Sequence, residues 1–327
     1  MIPYPRLELS RFKKVKLGVK TLVIGGLGFI GSHLSCHLKE SGHDVTVLDS
    51  FRNPTGKMKL GEGFRVIKGD ITSTDSPLAE EVKNADVVFN LAVRSLPESL
   101  QDPVGVAWAN IVGCHMVCIA SSKHAKKLVH ISSSEVYGTA KYIPIDESHP
   151  LLPSTPYAAS KVSQEMFVST YAKYQNLQTV IVRPFNAYGP FMREDRFAAM
   201  LPIFVDRARK GQPLPISGDG TQTRDLTYVE DTVRGIALAG DVFPVGEVVN
   251  IASGTEVRII DLALAVAKHY KYEEFAFTEE RPGDIKRHLA STEKAARLLG
   301  FRASMSIEEG VRRYILWYEA NHPLVHK

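Results

Sequence analysis

Thr21-Leu22-Val23-Ile24-Gly25-Gly26-Leu27-Gly28-Phe29-Ile30-Gly31 passes from an apolar, β-branched run into a glycine-rich turn. Residues 21–24 read as a buried strand. Beyond the glycines, Phe29, Ile30, Leu34 and Leu38 recur at helical spacing until Ser41-Gly42 closes the helix. Strand, glycine turn and helix in that order are the setting in which a dinucleotide is held. Gly25 permits the tight turn, Gly28 lets a pyrophosphate approach the backbone, and Gly31 lets the helix pack on the strand. Amides at the helix start offer donors and positive potential to phosphate. The next strand, residues 45–48, ends in Asp49. An acid there binds ribose hydroxyls and repels a 2′-phosphate, which favours NAD, while Arg52 nearby keeps NADP open.

Further along, residues 64–71 read as a third strand, with Asp70 and Ile71 at its adenine-facing end. Residues 86–92 form a fourth, which closes on Asn90, Leu91 and Ala92. A helical stretch over 102–124 contains Asn110, and a fifth strand over 127–131 leads to Ser132-Ser133-Ser134-Glu135-Val136-Tyr137-Gly138. After a Pro-rich loop over 142–156 comes a helix opening at Tyr157, then a sixth strand over 179–183. Strands alternating with helices imply an α/β fold with a doubly wound parallel sheet, and ligands at its C-terminal strand ends. Beyond Pro184 the pattern loosens into helices over 197–210, 229–241, 259–270, 291–299 and 307–321. Short strands are expected over 211–216 and 248–251, and a polar loop over 221–225. The expected division is a basic arm (1–19), a dinucleotide domain (20–185, with 226–252 returning to it) and a smaller C-terminal substrate lobe (186–225 and 253–327).

Composition limits the alternatives. Over 327 residues the net charge is +4, so neither a nucleic-acid nor a membrane-surface role is implied. Cys36, Cys114 and Cys118 form no C-x-x-C pair, which argues against a disulfide framework or zinc site and fits a cytoplasmic location. No apolar run reaches membrane-spanning length. His33 and His37 lack the intervening Glu of a zinc-protease helix, so no metal is expected.

Tyr157 and Lys161 are four apart, so a helix places them on one face. A neighbouring ammonium lowers a phenol's pKa and prepares it to accept a proton. The same spacing also describes an exposed Tyr beside a solvated Lys.

The chain as a whole resembles the extended short-chain dehydrogenase/reductases of the nucleotide-sugar epimerase/dehydratase family. The resemblance rests on the 25–31 glycines, on Ser133 with Tyr157 and Lys161, and on Arg183-Pro184-Phe185-Asn186-Ala187-Tyr188-Gly189-Pro190. It rests also on residues 218–225, on Tyr228-Val229-Glu230-Asp231, and on Arg281-Pro282-Gly283-Asp284. It implies a Rossmann domain holding NAD along Gly25, Gly28, Phe29, Ile30, Gly31, Asp49, Asp70, Ile71, Leu91, Ala92 and Asn110, with Tyr157 and Lys161 at the nicotinamide ribose. It implies a UDP- or other nucleotide-sugar substrate near Arg94, Ser95 and Ser133, its diphosphate met by Asn186, Arg224 and Arg281. A homodimer through the 102–124 and Tyr157 helices is also implied. Tyr157 would take the C4 hydroxyl proton as a 4-keto sugar forms. Glu135 resembles the C5 base of 4,6-dehydratases, although a Glu at this turn also has a structural use. Ser134 stands where glucose-thymidine dehydratases carry an acidic Asp. A 4,6-dehydratase is therefore the leading expectation. The 4-epimerase is the alternative, followed by a sugar-acid decarboxylase and a non-catalytic NAD sensor.

Overall fold

The structure, a computed structural model, describes residues 18–56, 60–61, 63–124, 126–195, 198–279 and 286–323. Arg281 and most of the basic arm lie outside these residues. Seven parallel strands form the central sheet, in the order Val248–Ile251, Thr179–Pro184, Lys127–Ile131, Val87–Asn90, Lys20–Ile24, Asp44–Asp49, Arg65–Lys68. The chain winds outward in one direction from Lys20–Ile24, then returns and winds the other way from Val87–Asn90. The two inner strands run in register, with Leu22 opposite Val88 and Thr46.

The sheet is buried on both faces, which explains its unbroken apolar runs. Val23, Val47, Phe89 and Val129 enter one core with Leu34, Val233 and Ile236 from helices Phe29–Glu40 and Val229–Val242. Leu22, Ile24, Leu48 and Val88 enter the opposite core, with Val82, Val117 and Val168. Full burial of each such side chain contributes about 1.5–3 kcal/mol. The first helix can pack this closely because of two glycines. Gly25 has φ +79°, and a Cβ on Gly31 would run into the Gly25 carbonyl oxygen.

The lobe has its own core, built from Tyr188, Phe204, Ile216, Leu262, Tyr314 and Ile315. Here local pattern misleads. The polar stretch expected as a loop contains strand Thr223–Asp225, paired antiparallel with Glu256–Arg258. Strand Leu214–Ser217 pairs with Phe275–Thr278, an element the sequence pattern did not signal. These two-stranded ribbons are too short for periodicity to register, and their pairing is non-local. The membrane expectation also needs correction. Among the described residues one helix, Pro103–Lys123, is by length and composition apolar enough to cross a bilayer. Its buried side, with Cys114, Val117 and Cys118, packs under the sheet instead.

Gly31→Val should destabilise the fold by about 2 kcal/mol through overpacking at the Gly25 carbonyl. A thermal melt with an unchanged midpoint would contradict the packing assigned to Gly31.

Candidate active site

A cleft of about 560 Å³ opens where the winding direction reverses, at the C-terminal ends of the strands. Gly25, Gly28, Phe29, Ile30, Gly31, Asp49, Asp70, Ile71, Leu91 and Ala92 line one half of it. Ser133, Ser134, Glu135, Tyr157, Lys161, Arg94, Ser95 and Asn186 line the other. The first half suits a dinucleotide. The glycine turn presents bare backbone, helix Phe29–Glu40 starts at the cleft, and Asp49 closes the second strand. Asp49 accepts bonds from the amides of Leu27 (3.0 Å) and Phe51 (2.8 Å), which fix its carboxylate. Asp70 is held similarly by the Thr72 amide and hydroxyl, at 2.9 and 2.7 Å.

Helix Pro156–Tyr174 carries the reactive pair. Thr155 caps its start by accepting from the Ala158 amide, with Pro156 in the first turn. Tyr157 therefore enters the cleft from the first turn, beside Ser133. One turn on, Lys161 is 2% exposed and donates to the Ile131 carbonyl at 2.8 Å. Another turn on, Glu165 pairs with Arg183 and accepts from the Ser132 hydroxyl. Ser133 also caps the short 3-10 turn Ser134–Tyr137 by accepting from the Glu135 amide at 3.2 Å. That cap sets Glu135 at the cleft, while Ser134 is only 2% exposed.

Other expected site residues make contacts within the protein. Asn110 is fully buried and does not line the cleft. Its side chain bonds the Arg94 backbone on both sides (2.7 and 3.2 Å) and the Ser160 hydroxyl (2.9 Å), so it braces the Arg94 loop. Arg224 is also absent from the cleft lining. Strand alternation turns it away from its buried neighbours Thr223 and Asp225, and its Nη1 donates to the Thr223 carbonyl. Asn186 does reach the cleft, but both hydrogens of its amide nitrogen are taken, by the Asp225 carbonyl and His288 Nδ1 at 3.0 Å each. It retains no side-chain donor for a diphosphate. Arg94 lines the cleft with its guanidinium paired to Asp102 at 2.7 Å.

The structure adds Arg193, which lies just past the Gly189-Pro190 end of a recognised motif and lines the cleft. Its guanidinium reaches the Ser95 hydroxyl and Glu98, each at 3.3 Å. Burial would raise the Glu98 carboxyl, but bonds from Ser95 and the charges of Arg193 and Arg94 bring it below its ordinary range. His288, also missed, sits behind Asn186. No periodicity or motif marks it, because its role arises from distant partners.

The model of the NAD dependent epimerase/dehydratase family matches residues 21–252. A UDP-glucose 4-epimerase of Mycolicibacterium smegmatis is 32% identical over 309 residues, 92% of this chain and 98% of that one. A dTDP-glucose 4,6-dehydratase of Actinoplanes sp. is 31% identical over 320 residues, 93% of this chain and 98% of that one. The crystal structure of DesIV, a dTDP-glucose 4,6-dehydratase from Streptomyces venezuelae with NAD and TYD bound, matches with TM-score 0.86 at 29% identity. The match covers 92% of this chain and 97% of DesIV.

Burial acts on both members of the reactive pair. Burial pushes the Tyr157 phenol up to about 12; the Ser133 bond opposes this and the nearby Glu135 charge adds to it. Burial likewise presses the Lys161 ammonium down to about 8, against the pull of Cys114 and Glu165. A tyrosinate absorbance titration of the ligand-free protein against Tyr157→Phe should therefore place this phenol above the ordinary value of about 10. A transition below that value would mean the protein alone activates it.

Proposed function

Because the chain belongs to the NAD dependent epimerase/dehydratase family, we propose that it takes a nucleotide-diphosphate sugar through a 4-keto form and dehydrates it across C5 and C6. Glu135 carries this reading: a carboxylate held at the cleft beside Ser133 and Tyr157. Bound NAD supplies the hydride acceptor at C4 and the hydride donor that completes the cycle. Tyr157 accepts the C4 hydroxyl proton, with Ser133 hydrogen-bonded to the same oxygen. The Lys161 ammonium opposes the burial that otherwise keeps the phenol protonated, and bound NAD would add its positive charge to that effect. The C4 ketone acidifies C5; Glu135 removes that proton and passes it to the C6 oxygen, which departs as water, and a solvent proton then returns to C5 as the hydride is returned to C6. Arg94, Ser95 and Arg193 lie on the sugar side of the cleft, and the cytoplasm is the proposed compartment.

A 4-epimerase is the second reading, favoured by Ser134. This residue is buried and not acidic, so it supplies no proton to a leaving C6 oxygen. An epimerase needs no base beyond Tyr157. Proton NMR of UDP-GlcNAc and UDP-glucose incubations separates the two. A new C6 methyl with a 4-keto sugar supports dehydration, and an inverted C4 proton coupling supports epimerisation. Glu135→Gln should slow dehydration by about 10²–10⁴-fold yet keep hydride exchange at C4, followed with deuterated sugar. Full dehydratase activity in that variant would remove Glu135 as the base.

We also propose a homodimer. Val104, Trp108 and Ile119 on helix Pro103–Lys123 and Met166 on helix Pro156–Tyr174 are exposed, Trp108 by 60%. These apolar side chains lie on two adjoining helices, the arrangement an obligate interface covers. Trp108→Glu should give a monomer by light scattering at micromolar concentration, and a variant still dimeric there would move the interface elsewhere.

A further inference from the structure

His288 is fully buried, stacked on Phe185 with ring centroids 4.8 Å apart. It lies outside every motif that carries the family resemblance. Its Nδ1 accepts from Asn186 Nδ2 at 3.0 Å. The second hydrogen of that nitrogen goes to the Asp225 carbonyl, also at 3.0 Å. A carbonyl oxygen only accepts, so the Asn186 carboxamide cannot be turned the other way. With both hydrogens used behind the cleft, Asn186 Oδ1 is left without a bond among the described residues. Asn186 itself lines the cleft. An accepting Nδ1 obliges the proton of neutral His288 to sit on Nε2. That nitrogen faces the Ser134 main chain but meets no acceptor at hydrogen-bond geometry. Burial, with the charge of Arg224, holds the imidazole down at about 4, so it stays neutral across the physiological range.

We infer that His288 is a positioning residue that locks the Asn186 carboxamide with its oxygen toward the cleft, so that Asn186 accepts from a hydroxyl of the sugar and does not donate to the diphosphate. The inference rests on the nucleotide-sugar reading above and adds to it a determinant of sugar recognition. It also ties the lobe to the catalytic turn, because His288 touches both Asn186 and the Ser134 backbone.

Two measurements test it. Imidazole nitrogen NMR of the labelled full chain, with the His288 signals assigned by their loss in His288→Asn, should show an unprotonated Nδ1 and a protonated Nε2. A protonated Nδ1 overturns the inference whatever the substrate. Calorimetry should then show His288→Leu binding UDP-GlcNAc about tenfold more weakly, with UDP unchanged within about twofold. His288→Asn, whose carboxamide oxygen can stand in for Nδ1, should recover most of the loss. Equal losses for UDP and UDP-GlcNAc, or no loss with a circular dichroism spectrum like wild type, would overturn it. Should wild type bind UDP but no UDP-sugar, the proposed function fails, and the tautomer still decides the role of His288.

Discussion

Strand Lys20–Ile24 has parallel neighbours along both edges and helices against both faces. Such a strand has nowhere to put a polar side chain except at its ends. Every strand of the sheet shares this constraint to some degree, and it decides where chemistry can occur. Asp49, Ala92, Ser133 and Asn186 all lie at or just beyond a C-terminal strand end, and all line one cleft. The cleft forms where the strand order reverses, because there the connections leave in opposite directions and part above the sheet.

Within that cleft the demanding element is Lys161, an ammonium with one carbonyl partner at 2.8 Å and almost no solvent. Tyr157, Lys161 and Glu165 recur at four-residue intervals, so a single helix face carries a phenol, an ammonium and a carboxylate. Glu165 is in turn clamped by Arg183 and the Ser132 hydroxyl. Arg183 also donates to Tyr137, whose hydroxyl donates to Asn250 at 2.7 Å. A buried pair of this kind is costly to break from one side, by roughly 3–5 kcal/mol. The network thus joins the catalytic helix to the sixth strand of the chain and to the edge strand Val248–Ile251, and limits how far Lys161 and Ser133 can drift.

The lobe is held by a comparable device. The Asp225 carboxylate is fully buried and accepts from Ser253 N and Oγ, Gly254 N and Ala290 N. Its own carbonyl meets Asn186. Four segments distant in sequence therefore meet at one residue. Burial pushes the carboxyl up, and these bonds work against that shift. Arg193 adds a bridge from the lobe to Ser95 and Glu98 on the dinucleotide side.

The glycine turn, Asp49 and the Tyr157-to-Lys161 spacing were legible from sequence because each is a local arrangement with a local physical reason. A turn needs glycine where φ is positive, and a helix brings residues four apart together. The unbroken apolar runs, spaced by helices, likewise determined a parallel sheet buried on both faces. What sequence could not reach depends on contacts between distant segments. Asn110, 16 positions beyond Arg94, braces that residue's backbone instead of lining the cleft. The same pairing geometry that buries Thr223 and Asp225 turns Arg224 aside. The orientation of Asn186 is set by His288, 102 positions away. Tyr157 shows the division within one residue. Sequence determined that it would share a helix face with Lys161, while only the folded interior, by desolvating phenol and ammonium together, raised the phenol above its ordinary value and lowered the ammonium.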